Sequence, residues 1–226
     1  MKNGYDYSKV SDEFRTIRLL QDGHSIGRIA DGELKIMRGK ASVSQEAHKK
    51  LQEEICRVVW DSNILIGIPR IVPELPKFRE WDSIYDQPKY ISLYNPKIRY
   101  ASAWITRPDM APWINCEEYW TLVIDLWRGR EVTVVGGSGK GLVPSDMPEA
   151  AHVNFISCPR QHAYVAIDEV EAAIGRPELA ILCCGATATV LAARLAAKGT
   201  QALDFGHMGM FLRRWRKAVA LGASGV

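Results

Sequence analysis

The chain has 226 residues, 47% hydrophobic and 24% charged, with 29 Lys and Arg against 26 Asp and Glu and a formal net charge of +3. That length carries one or two domains with an ample core, and the composition excludes disorder, a nucleic-acid binder and, with no run of 18 apolar residues, a membrane span. The opening MKNGYDYSKV lacks the apolar core of a secretory signal, and five cysteines, two of them adjacent at Cys183 and Cys184, predict a reduced, cytoplasmic setting.

Val10, Phe14, Ile17 and Leu20 recur at helical spacing and stop before Asp22-Gly23, which predicts a first helix. Ser25 to Ala30 reads as a short strand running into Asp31-Gly32-Glu33, a turn or helix entry. Ala47, Leu51, Ile55 and Val59 form a second helical stripe, with Ser42 and Gln45 spaced as a capping box ahead of it. The unbroken apolar run Ile64 to Ile68 predicts a buried strand. The stretch 69–115 holds seven of the eleven prolines, so loops are expected to dominate it, in the manner of a binding or lid insertion.

The last hundred residues alternate regularly. Strands are expected at 132–135, 153–157, 179–183 and 201–204. A helix is expected from Arg160 to Ile174, with Tyr164, Ile167, Val170 and Ile174 along one side. Another is expected from Thr187 to Lys198, closed by Gly199. Strands alternating with helices predict a single Rossmann-like α/β domain over 1–226, its sheet mostly parallel with helices on both faces. Ligands of such sheets sit beyond the carboxyl ends of the strands.

Four segments reach that edge with chemistry to offer. Asp31 and Glu33 leave a strand end around Gly32, and two hard oxygen donors suit Mg²⁺ or Mn²⁺ against a diphosphate, with Arg28 near enough to pair with a carboxylate or phosphate. Spacing alone favours a solvated Asp-Gly turn instead. Gly136 to Gly141 follows a strand but is neither a Walker loop, because Gly141 follows Lys140, nor a dinucleotide fingerprint. It can present backbone N–H groups to an anion, or serve as a plain turn. Gly185-Ala186-Thr187 places Thr187 as an N-cap where a helix could hold an anion. Asp204-Phe205-Gly206-His207 ends the last strand, and His207 could be a base, a metal ligand or a phosphate contact. Cys158, His162, Cys183 and Cys184 match no paired zinc spacing.

Taken in order, these segments resemble the GT-D-fold glycosyltransferase family. Arg28-Ile29-Ala30-Asp31-Gly32-Glu33 is similar to its R-x-G-D-G-E, which contains a metal-associated D-x-E. Ile66-Gly67-Ile68-Pro69 and Ile105-Thr106-Arg107-Pro108 follow, the second similar to I-T-R-P. Ile156-Ser157-Cys158-Pro159 with His162-Ala163-Tyr164 resembles I-x-C-P…N-A-F. Gly185-Ala186-Thr187-Ala188-Thr189-Val190-Leu191-Ala192 resembles G-P-T-A-x-V-L-A, and Asp204-Phe205-Gly206-His207 resembles D-I-G-H. The resemblance implies a transferase that moves a hexose, glucose or a relative, from a UDP-sugar to a glycan or glycoconjugate, assisted by Mn²⁺ or Mg²⁺. Asp31 and Glu33 would then hold the metal and, with His207, act in catalysis. Arg28, Thr106, Arg107, Gly136, Gly137, Gly185, Thr187 and Asp204 would bind the nucleotide-sugar. The chain departs from the family pattern at Gly137, where an acid is usual, at Lys140, near which an Arg is usual, and after His207, where the family carries several acids and Gly209, Phe211 and Arg213 follow here. A nucleotide-sugar-binding protein without transfer activity, or another α/β transferase such as a methyltransferase, stays open on those departures.

Overall fold

In the computed structural model, which describes residues 9–61, 63–76, 78–85, 88–137 and 139–222, the apolar runs become strands. These are β1 (Ile26–Arg28), β2 (Leu65–Ile68), β3 (Ala101–Ser102), β4 (Glu131–Gly136), β5 (His152–Ser157), β6 (Leu179–Cys183) and β7 (Gln201–Asp204). They form one seven-stranded sheet in the order β3-β2-β1-β7-β6-β4-β5. Each pairing is parallel, so the sheet is wholly rather than mostly parallel. All five residues of β6 are buried, as a strand covered on both faces requires. From β4 the chain moves outward to β5, whereas from β6 it moves the other way to β7. The strand order therefore reverses between β4 and β6, and a crevice opens there at the carboxyl edge.

The helices are α1 (Glu13–Gln21), α2 (Asp31–Met37), α3 (Lys49–Asp61), α4 (Phe78–Tyr85), α5 (Pro88–Ile91), α6 (Glu117–Asp125), α7 (Ile167–Ile174), α8 (Thr187–Ala196) and α9 (Met208–Ala220). The Ala- and Leu-rich α8 lies across β1, β6 and β7, with α3 and α7 beside it. Its small side chains allow this close approach. The methyl of Thr189 sits where a Cβ on Gly27 of β1 would stand, 2.9 Å away. The other group packs together, α1 on α6, with Trp120 of α6 stacked on Trp215 of α9 at 5.7 Å. No helix among the described residues is long and apolar enough to cross a membrane.

Three expectations change. The helix expected from Arg160 is a 3₁₀ turn, Ala163–Ala166, followed by α7 from Ile167. His162 in the left-handed region (φ 54) breaks the earlier turn, yet Tyr164, Ile167, Val170 and Ile174 are all buried as the stripe predicts. Ser42 and Gln45 do not cap α3, which starts at Lys49. The Ser42 N–H instead donates to the Gln45 carbonyl at 2.8 Å in a turn of its own. The proline-rich stretch 69–115 is more ordered than loops alone, since it contains α4, α5, β3 and two 3₁₀ helices, Ala103–Thr106 and Pro112–Ile114.

Candidate active site

A cavity of about 490 Å³ opens over the carboxyl ends of the strands, within the roughly 300–1,000 Å³ typical of small-molecule sites. Of the residues expected at the site, Arg28, Glu33, Thr106, Arg107, Gly137, Gly185, Asp204 and His207 line it. Asp31, Gly136 and Thr187 do not.

Its floor is an ion pair between adjacent strand ends. The Arg28 Nη2 donates to Asp204 Oδ1 at 3.1 Å, the Arg28 Nε to the Asp204 carbonyl at 2.6 Å, and the Arg28 backbone N–H to Asp204 Oδ2 at 3.1 Å. The Arg28 Nη1 donates to the Thr106 hydroxyl, which ties the 3₁₀ helix after β3 to the same point. Thr189 of α8 donates to the Arg28 carbonyl at 2.9 Å. Burial pushes the Asp204 carboxyl up despite Arg28.

The two carboxylates of the D-x-E segment part company. Both stand on the first turn of α2, where Glu33 turns back so that its Oε2 accepts the Ala30 N–H at 2.9 Å and faces the cavity. Burial and the nearby Asp204 push the Glu33 carboxyl up. Asp31 is exposed and its Oδ2 accepts from Lys35 Nζ at 2.6 Å, one turn along the helix. The structure thus puts one carboxylate of the expected pair in the cavity and the other on the outer face, because helix positions two apart diverge by about 200°. Among the described residues no group of three or more His, Cys, Asp and Glu side chains could hold a metal ion. Glu33 fits a hard divalent cation only as one ligand alongside oxygens brought by a phosphorylated substrate, a common arrangement for Mg²⁺.

Gly136 is the buried last residue of β4, and a Cβ there would press on the Phe155 ring at 3.3 Å, so it packs rather than binds. Gly137 is the residue that reaches the cavity, and a Cβ on it would collide with the Cys158 carbonyl. The acid usual at this position in the resembled family has no room in this backbone. Thr187 is the first helical residue of α8 rather than its cap, and its buried hydroxyl has no hydrogen-bond partner among the described residues. The helix still opens towards the cavity, through Gly185 and Ala186. Cys183, beside them, has its thiol pushed up to about 12 by burial, which keeps it protonated.

Burial and the cations Lys140, Arg28 and Arg107 push the His207 pKa down, so its ring is neutral at pH 7. A base whose folded pKa is depressed costs stability as pH falls below its ordinary value of 6.5. His207→Gln is therefore expected to lose less stability than the parent chain between pH 7 and pH 5. Equal acid losses in urea unfolding would remove this account of the ring.

Sequence reasoning passed over Lys140, Arg160 and the turn Ser42–Gln45, which all line the cavity. The first two carried a usable signal, a basic residue just beyond a strand end at the ligand edge. The turn carried none. It is brought there by His162, whose N–H donates to the Ser44 carbonyl at 2.9 Å and whose Nδ1 accepts the Glu46 N–H at 3.0 Å.

The family model for the glycosyltransferase GT-D fold matches residues 26–222. Among curated proteins, the chain is 24% identical over 207 residues to "Probable glycosyl transferase Gly" of Streptococcus gordonii, covering 84% of this chain and 30% of that protein. It is also 24% identical over 208 residues to "Glycosyltransferase GlyD" of Streptococcus pneumoniae serotype 4, covering 84% of this chain and 25% of that protein. The chain thus spans under a third of the length of these relatives. Among solved structures it is similar to one described as "The highly conserved domain of unknown function 1792 has a distinct glycosyltransferase fold", with a TM-score of 0.81 at 22% identity over 97% of this chain and 84% of that one. "A New Glycosyltransferase (DUF1792) from Streptococcus sanguinis" gives a TM-score of 0.77 at 22% identity over 95% of this chain and 85% of that one. The match across nearly the whole described sheet, with the cavity at its carboxyl edge, establishes that the chain belongs to the glycosyltransferase GT-D fold family.

Proposed function

We propose that this chain is a glycosyltransferase domain that moves a hexosyl group from a UDP-sugar to a hydroxyl of a glycan or glycoconjugate. The observation that carries the reading is the cation-lined cavity. Arg107, Lys140 and Arg160 surround it, and the amino end of α8 opens into it through Gly185 and Ala186. Both features suit a diphosphate.

In such a transfer the bond between sugar C1 and the β-phosphate oxygen breaks, and its electron pair stays on the phosphate. The acceptor oxygen bonds to C1 and gives up its proton. The departing diphosphate gains one negative charge, which prearranged cations and N–H groups stabilise without having to reorganise. Arg28 and Asp204 fix the floor under the reacting centre, and Thr106 is held to them. His207, kept neutral by burial and the surrounding cations, is in the protonation state that can take the acceptor's proton. Glu33 would hold Mn²⁺ or Mg²⁺ together with phosphate oxygens of the donor, where the cation supplies Lewis-acid stabilisation of the same charge.

The test is calorimetric titration of the protein with UDP, in Mn²⁺ and in chelator, with S-adenosylmethionine as the competing ligand. UDP is expected to bind, more tightly with Mn²⁺, and UDP-glucose to be hydrolysed slowly when no acceptor is present. Binding of S-adenosylmethionine in place of UDP would overturn the reading. UDP binding with no turnover of the sugar nucleotide would reduce it to a binding domain.

A further inference from the structure

Four cations line the cavity, and two of them are paired with a carboxylate. Arg28 is paired with Asp204. Arg107 makes two bonds of 2.7 Å to the carboxylate of Asp109. Arg160 donates through Nε to the Gly137 carbonyl at 2.6 Å. Lys140 has no carboxylate partner among the described residues, although Lys35, Lys49 and Lys198 each have one. Its ammonium lies near enough to His207 to be the foremost charge pushing that ring's pKa down.

The backbone that carries Lys140 is pinned on both sides. Met210 of α9 donates its N–H to the Lys140 carbonyl at 2.9 Å. Arg213, one turn further along α9, donates through Nη2 to the Gly139 carbonyl at 2.6 Å and through Nη1 to the Gly141 carbonyl at 3.3 Å. The same guanidinium pairs with Asp146, a carboxylate with only 4% of its side chain exposed, whose Oδ2 accepts the Val143 N–H at 3.0 Å. Gly209 lets α9 approach this closely, since a Cβ there would strike the Gly141 carbonyl. On the opposite side of the loop, a Cβ on Gly141 would stand 2.6 Å from the Cβ of Cys183. The loop is wedged between β6 and the first turn of α9, and it brings to the cavity a lysine that no carboxylate among the described residues neutralises. Arg160, the other cavity cation without a carboxylate among the described residues, is tied through Nε to the Gly137 carbonyl.

We infer that Lys140 is the cation that binds the diphosphate of the nucleotide donor, and that Gly209 and Arg213 are positioning residues that hold its loop at the cavity. The inference rests on the nucleotide-sugar reading above and adds to it the residue that meets the phosphates. It also gives Gly209 and Arg213 a role: they clamp a lysine-bearing loop, which carboxylates facing the Gly139 and Gly141 carbonyls would repel. An ammonium facing a departing β-phosphate is a charge-assisted contact that strengthens as that phosphate takes up the electron pair of the broken C1–O bond.

The experiment is calorimetric titration of UDP, UMP and uridine, in chelator and in Mn²⁺, into the parent chain, Lys140→Gln, Lys140→Arg and Arg213→Gln. Lys140→Gln is expected to weaken UDP by on the order of tenfold to a hundredfold, the effect of removing one charged hydrogen bond, while uridine binding stays as it was. Lys140→Arg should keep most of the UDP affinity. Arg213→Gln should narrow the preference for UDP over uridine as well as lower the melting temperature. A purely structural Arg213 would lower melting and leave that preference intact, and this result would remove its positioning role. UDP binding by Lys140→Gln equal to the parent's would overturn the inference and leave the donor reading standing. A parent chain that binds none of the three ligands would overturn both.

Discussion

Glu33→Gln is expected to lower sugar transfer by about a hundredfold or more, the usual scale for removing one charged group that acts on the transition state. Asp31→Asn is expected to change it by less than about twofold. The sequence treats these residues as equals in one D-x-E segment. The structure separates them, with Glu33 in the cavity and Asp31 on the outer face against Lys35. Gln retains an oxygen able to accept the Ala30 N–H, so the first turn of α2 should survive. An exposed i,i+4 ion pair such as Asp31–Lys35 contributes only about 0.3–0.5 kcal/mol, so its loss should hardly move the melting temperature. Initial rates at saturating donor, across a Mn²⁺ titration, check both variants. A loss in Asp31→Asn as deep as in Glu33→Gln would restore the paired clamp.

The contrast between those two residues marks where the sequence stops being legible. The buried strands were readable because a strand covered on both faces must be apolar throughout. β6 and β7 occupy the 179–183 and 201–204 spans that their apolar runs predict. A two-residue strand such as β3 offers no period to detect. α9 does offer one, with Met208, Phe211 and Leu212 buried at helical spacing. At the site, Arg28 and Asp204 stand at strand ends and line the cavity, because the sheet's carboxyl edge is a property of topology. On helix first turns the outcome depends on rotation about the helix axis, which sequence does not supply: Glu33 faces the cavity, whereas Asp31 and Thr187 do not line it. Contacts across long separations, such as His162 with Glu46, left no local trace at all.

The largest effect on stability is expected at Asp204. Asp204→Ala should cost about 3–5 kcal/mol, the penalty for removing one partner of a buried ion pair. Only 13% of the Arg28 side chain and 5% of that of Asp204 are exposed, so the guanidinium left behind is largely withheld from water. The Arg28 guanidinium would keep the Thr106 hydroxyl and the Asp204 carbonyl but lose its counter-charge. At about 2–4 °C per kcal/mol for a chain of this size, melting should fall by about 6–20 °C. Asp204→Asn should cost less, because an amide oxygen can still accept from the Arg28 backbone N–H and the Thr189 hydroxyl. The pair's net worth is a separate matter. Burial pushes the Asp204 carboxyl up even beside Arg28, so desolvation outweighs the attraction between the two charges. Replacing both together, Arg28→Met with Asp204→Leu, should therefore recover most of the stability lost in Asp204→Ala, as buried pairs exchanged for apolar ones commonly do. It should not recover UDP binding, because both side chains line the cavity. Urea unfolding of the three variants with UDP titration of the double one separates the two roles. A double variant that is no more stable than Asp204→Ala would show that the pair itself holds the fold together.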